Sequence, residues 1–93
     1  MREEVKVVEI QALGNEKPQK TNAGYSFPVR YILEDGRIID TFVSKRLLRD
    51  AKKEQAELPR KVNNVIAMFH DGKYVGTQYS YTLGARGLEE RKV

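Results

Sequence analysis

The chain has 93 residues, a formal net charge of +4, 40% hydrophobic and 32% charged residues, and no cysteine. That length supports one domain burying somewhat over ~60% of its unfolded surface, not two cores. Disulfides and thiolate metal sites are excluded by the missing cysteine, and no stretch approaches the ~18 to 20 apolar residues of a membrane span.

Met1-Arg2-Glu3-Glu4 leads into a strand and not into an apolar segment, so no signal peptide is expected. A cytoplasmic protein without membrane contact is the expectation. Val5 to Leu13 reads as the first strand, with a phase slip at Val7-Val8 of the kind a β-bulge produces. Gly14 to Gly24 is polar, holds two Gly and one Pro, and shows no periodicity, which predicts a long loop.

Tyr25, Phe27, Val29, Tyr31 and Leu33 then alternate with Ser26, Pro28, Arg30, Ile32 and Glu34, the period-2 pattern of a strand with one apolar face. Asp35-Gly36 is a hairpin signal because Gly accepts positive φ at no steric cost, and Arg37 to Val43 is the returning strand. A two-residue loop would set Leu33 opposite Ile38 and Glu34 opposite Arg37; a three-residue bulged loop would set Arg30 opposite Asp40. Both registers give a charge pair and both stay open.

Ser44 is the expected helix N-cap, with Leu47, Leu48, Ala51, Gln55 and Leu58 on the inner side and Lys45, Arg49, Lys52, Lys53 and Ala56 on or around the outer one. Pro59 ends the helix and Lys61 to Asn64 is a short turn. Val65 to Phe69, His70-Asp71-Gly72-Lys73 and Tyr74 to about Thr82 form a second hairpin. It echoes the first, Tyr31–Thr41 matching Ala67–Thr77 in pattern, although shared turn chemistry explains much of that likeness. Residues 83–93 contain Gly84, Gly87 and the charged run Glu89 to Lys92, so a frayed tail after a single domain of residues 1–82 is expected.

The predicted fold is α+β: an antiparallel sheet of about five strands, in the order βββαββ, with one basic helix packed on one face. Residues 25–58, a hairpin with Thr41-Phe42 before a helix, resemble in element order the sheet-plus-helix arm-binding domains of tyrosine recombinases, whose sheets enter the DNA major groove. The resemblance covers about a third of the chain, and the second hairpin departs from it.

Groups suited to catalysis are few. There is one His, at a hairpin turn where a solvated imidazole is expected, and Asp35 and Asp71 are the turn residues themselves. No phosphate loop, zinc-helix or nucleophile-elbow motif occurs, so no enzyme activity, metal or cofactor is expected. Tyr79 and Tyr81 fall on one face of the last strand with Val75 and Thr77, where half-buried sheet packing is the ordinary role.

Charge is the stronger signal. Residues 45–61 carry seven cations and three anions, a balance of +4, while the rest of the chain holds ten of each sign. Lys45 and Arg46, placed in the first helical turn, would oppose the helix dipole at a cost of roughly 0.3 to 1 kcal/mol each, a choice made for something other than stability. The expected function is a small non-enzymatic module whose Lys45, Arg46, Arg49, Lys52 and Lys53, with Lys17 and Lys20 from the long loop, contact nucleic-acid phosphate. The alternative is a protein-interaction or inhibitor-type accessory protein acting through sheet edges, on an acidic protein or as a homo-oligomer, with residues 14–24 as a lid over a small ligand.

Overall fold

The alternation in residues 25–33 is realised as a strand whose Phe27, Val29, Tyr31 and Leu33 are buried while Ser26, Pro28, Arg30 and Ile32 are only partly covered. A computed structural model provides the fold, and residues 1–79 are described. The elements are β1 (Arg2–Ala12), β2 (Gln19–Thr21), β3 (Gly24–Leu33), β4 (Ile38–Lys45), α1 (Leu48–Ala56), β5 (Arg60–His70) and β6 (Lys73–Tyr79). The α+β class stands, with six strands in place of about five and the order ββββαββ.

All pairings are antiparallel, and the sheet runs β4-β3-β1-β5-β6, with the short β2 beside the start of β3. The extra strand lies inside the stretch expected to be loop: Gln19, Lys20 and Thr21 pair with Ser26, Tyr25 and Gly24. Thr21 also bonds the turn, its Oγ1 accepting from the Ala23 N–H at 3.2 Å. Residues 61–64 are likewise strand and not turn, since Lys61 pairs with Glu9 and Arg60 with Ile10. Pairing with the long β1 supplies backbone partners that an isolated polar segment lacks.

The phase slip at Val7-Val8 is a bulge. Val7 pairs with Leu33 but Glu9 with Ile32, leaving Val8 as the inserted residue. The bulge moves the buried face from Val5 and Val7 to Ile10, which explains why simple alternation fails along β1.

In the first hairpin Arg30 faces Asp40 and Ile32 faces Ile38, the three-residue register, with Gly36 at φ 93°. Arg30 holds Asp40 in a fork, Nε to Oδ1 at 2.8 Å and Nη2 to Oδ2 at 3.0 Å. That guanidinium keeps the Asp40 carboxyl below the usual carboxylate range. The second Asp-Gly closes a two-residue loop with both residues at positive φ, Asp71 at 51° and Gly72 at 82°, and His70 opposite Lys73. Identical turn letters thus give different turns, and β6 in addition inserts an extra residue where Phe69 meets Tyr74 and Met68 meets Gly76. That insertion separates exposed Val75 from Thr77, breaking the single face expected for the last strand. Tyr81 and the 83–93 tail lie outside the described residues.

Val7, Ile10, Phe27, Val29, Val65 and Ala67 form the heart of one core on the inner face, with Ala51 of α1 against it. The sheet curls strongly enough that Thr77 of β6 hydrogen-bonds Tyr31 of β3, with β1 and β5 lying between them in the sheet. Burial of the phenol, opposed by the Thr77 bond, pushes Tyr31 up to about 12. A raised acid holds its proton more tightly when folded, so its contribution is complete below the ordinary phenol value near 10 and disappears as pH rises through about 12. The expected loss across that window is roughly 3 kcal/mol. Urea unfolding at stepped alkaline pH should show it, and Tyr31→Phe should flatten it; an equally steep decline in the variant would place the titration elsewhere.

Candidate nucleic-acid interface

The Leu48-Arg-Asp-Ala-Lys-Lys-Glu-Gln-Ala56 segment consists almost wholly of good helix formers. Residues 100° apart place Ala51 against the core, where it is fully buried. Leu58, just past the helix, and Tyr25 pack on the same core. Leu47 and Leu48, expected on the inner side, are both exposed, because the helix begins later than the Ser44 cap implied.

Ser44 is a strand residue. The β3–β4 ladder continues through Ser26/Ser44 to Tyr25/Lys45, and the two serine hydroxyls hydrogen-bond each other at 2.7 Å. The residue in the cap position is Leu47, which makes no side-chain cap bond. Continued strand pairing satisfies the backbone of residues 44 and 45, and the cap is forgone. Two consequences follow for the predicted basic site. Lys45 belongs to β4 and Arg46 to the link, so neither opposes the helix dipole, and the first turn carries Asp50, which suits that dipole.

Lys45 is withdrawn further by an ion pair, its Nζ 3.9 Å from Glu54 Oε1. Glu54 also accepts from Arg60 Nη2 at 3.0 Å. The remaining helix cations are arranged differently. Arg49, Lys52 and Lys53 occupy positions i, i+3 and i+4, one stripe pointing away from the sheet, and all three are exposed. The acids Asp50, Glu54 and Glu57 lie along another flank, where Lys53 borders them at a shallow depression. Among the described residues, Arg46, Arg49, Lys52 and Lys53 have no ion-pair partner within 4.0 Å.

The two loop cations divide. The Lys20 ammonium stands 5.3 Å over the Tyr25 ring. Lys17 lines a groove of about 440 Å³ on the outer face of β3 and β4. Pro28 and Phe42, cross-strand partners, form its apolar part, and Thr21, Ser26 and Ser44 supply hydroxyls. The segment before β2 is tied to the helix by Gln55, whose Nε2 donates to the Glu16 carbonyl at 2.8 Å. Gly24 sits so close to the link that a Cβ there would lie 2.9 Å from the Arg46 Cα. The Glu16–Gln55 bond and the Gly24–Arg46 approach thus bring the loop that borders the groove, and the link, beside the helix.

Sequence reading found the cations and missed the groove. Its one available signal was Phe42, an aromatic at a position whose parity, shared with Asp40 and Ser44, is the solvent side. The hydroxyl cluster was hidden because facing Ser26 with Ser44 requires the register that the sequence left open.

His70 is exposed, with Nε2 3.5 Å from Asp71 Oδ2, as a turn imidazole should be. Asp35 Oδ1 accepts from the Arg37 N–H at 3.1 Å, the turn bond expected of it. Among the described residues, no three His, Asp or Glu gather where they could hold a metal, and no helix is long and apolar enough to cross a membrane. No protein-family profile matches this chain, and no curated protein or solved structure does so.

Proposed function

We propose that this domain is a non-enzymatic binding module that holds the phosphate backbone of a nucleic acid against the outer stripe of α1. The observation that supports it is the segregation of charge: Arg46, Arg49, Lys52 and Lys53 are exposed and unpaired among the described residues, while Glu54 is committed to Lys45 and Arg60. A helix face built for solvation alone intermixes its charges and gains a few tenths of a kcal/mol per pair. Unneutralised cations at this spacing instead attract a polyanion and release its counterions. Lys45 leaves the contact set, and Lys17 leaves it too, because Glu16 beside it in the neighbouring groove offsets its charge.

Affinity for nucleic acid should fall steeply with salt and exceed affinity for an acidic protein. Reversing Arg49 and Lys53 to glutamate should reduce the slope of log K against log salt by at least about 1.4 to 1.8, since each phosphate contact contributes ~0.7 to 0.9. Fluorescence anisotropy over a salt series measures both quantities. An unchanged slope after both reversals overturns the assignment, and equal binding of the acidic protein makes the stripe a protein-docking surface.

A further inference from the structure

We propose that the nucleic acid bound is single-stranded and that one of its bases occupies the groove beside Phe42; this rests on the phosphate-binding role given to α1. Phe42 is 67% exposed, an aromatic ring held on the solvent side of β4. Its ring and Pro28 offer flat apolar surface, while the Thr21, Ser26 and Ser44 hydroxyls stand around them. A nucleobase has the matching form, with apolar faces and an edge of donors and acceptors. The volume of about 440 Å³ lies within the range of small-ligand sites.

Charge fixes the direction of the strand's path. Glu16 lines the groove with Lys17, so the groove itself carries no excess positive charge and does not attract phosphate. A carboxylate there accepts instead from the exocyclic amino group of a base. The phosphates belong next door, where Gly24 abuts Arg46 and the chain enters the helix carrying Arg49, Lys52 and Lys53. Base in the groove and backbone on the helix is an arrangement open to a single strand. A duplex keeps its base faces stacked inside and would have to extrude a nucleotide, at a cost of a few kcal/mol.

The test measures binding of single-stranded DNA, single-stranded RNA and a matched duplex, each about a dozen nucleotides long, to the wild type, Phe42→Ala, Phe42→Trp and the Arg49/Lys53 reversal. Single strands should bind more tightly than duplex. Phe42→Ala should weaken single-strand binding roughly 5- to 150-fold with the salt slope unchanged, as expected for one lost stacking contact, and Phe42→Trp should retain it. Circular dichroism and light scattering on each variant confirm fold and oligomeric state. If Phe42→Ala binds single strands like the wild type, or duplex is preferred while the charge reversal still lowers the slope, the base site is overturned and the phosphate surface survives. Absence of salt-dependent binding to all three probes removes the phosphate surface and the base site together. Conversion of an oligomer to a monomer by Phe42→Ala, without loss of single-strand affinity, assigns the ring to self-association instead.

Discussion

Replacing Phe27 by alanine should destabilise the protein by about 4 kcal/mol, the usual cost of deleting a buried aromatic ring and leaving its cavity. Phe27 is fully enclosed at the heart of the core, opposite Val43 of β4. A domain of this size has only about 5 to 15 kcal/mol to lose, so the variant would give up between about a quarter and four fifths of its stability. The control lies in the same hairpin. Phe42, on the outer face of the neighbouring strand, is 67% exposed, and its truncation should change stability by no more than about 0.5 kcal/mol. Urea titrations of the two alanine variants would separate them; similar midpoints would mean that the inner and outer faces of the hairpin have been reversed.

Alanine at Gly24 should cost about 3 kcal/mol for a different reason. The residue has φ 115°, and the added Cβ would lie 2.3 Å from the Lys45 carbonyl oxygen and 2.9 Å from the Arg46 Cα. Both are backbone atoms, and Lys45 is held by its pairing with Tyr25, so neither can turn aside as a side chain would. Relief requires β4 and the link to move away from β3, carrying Arg46 with them. Gly14 provides the comparison, for it too has positive φ, at 85°, but nothing lies within 4 Å of its would-be Cβ. Gly14→Ala should therefore cost only the backbone strain, about 1 kcal/mol. Equal losses at the two glycines in thermal or chemical denaturation would falsify the close-approach explanation. Amide shifts confined to residues 24 and 44–47 would support it.

Elements specified by their own local pattern were legible from sequence. The alternation of β3, both Asp-Gly turns and the Val7-Val8 slip each follow from contiguous residues, and each is present. What escaped depends on partners far along the chain. Gln19–Thr21 becomes strand because β3 offers an edge, and residues 60–64 because β1 does. Ser44 has the chemistry of a cap, but the choice between cap and ladder is decided by Ser26, which is distant in sequence. Of the predicted basic site, the i, i+3, i+4 spacing of Arg49, Lys52 and Lys53 carried through directly, since a helix fixes it. The expected place of Lys45 and Arg46 in the first helical turn went with the helix boundary, which lies at Leu48. Phe42 was passed over because its significance lies in which face of the curled sheet it occupies.

The position of β1 bears on how the chain assembles in time. This strand lies between β3 and β5, and its ladder with β5 joins Arg2 to His70. The β3–β4 and β5–β6 hairpins close short loops and can form within microseconds, but the first can cover only part of its inner face with α1, and the two are joined into one sheet only through β1. The strand synthesised before either hairpin is thus the one whose pairing finishes the sheet, after a loop-closure entropy that the hairpins avoid. Such non-local topology places folding in the millisecond-to-second range typical of β-barrel-like domains. During that interval the apolar faces of both hairpins are wholly or partly exposed, and the nascent protein is at its most vulnerable to association through unpaired strand edges.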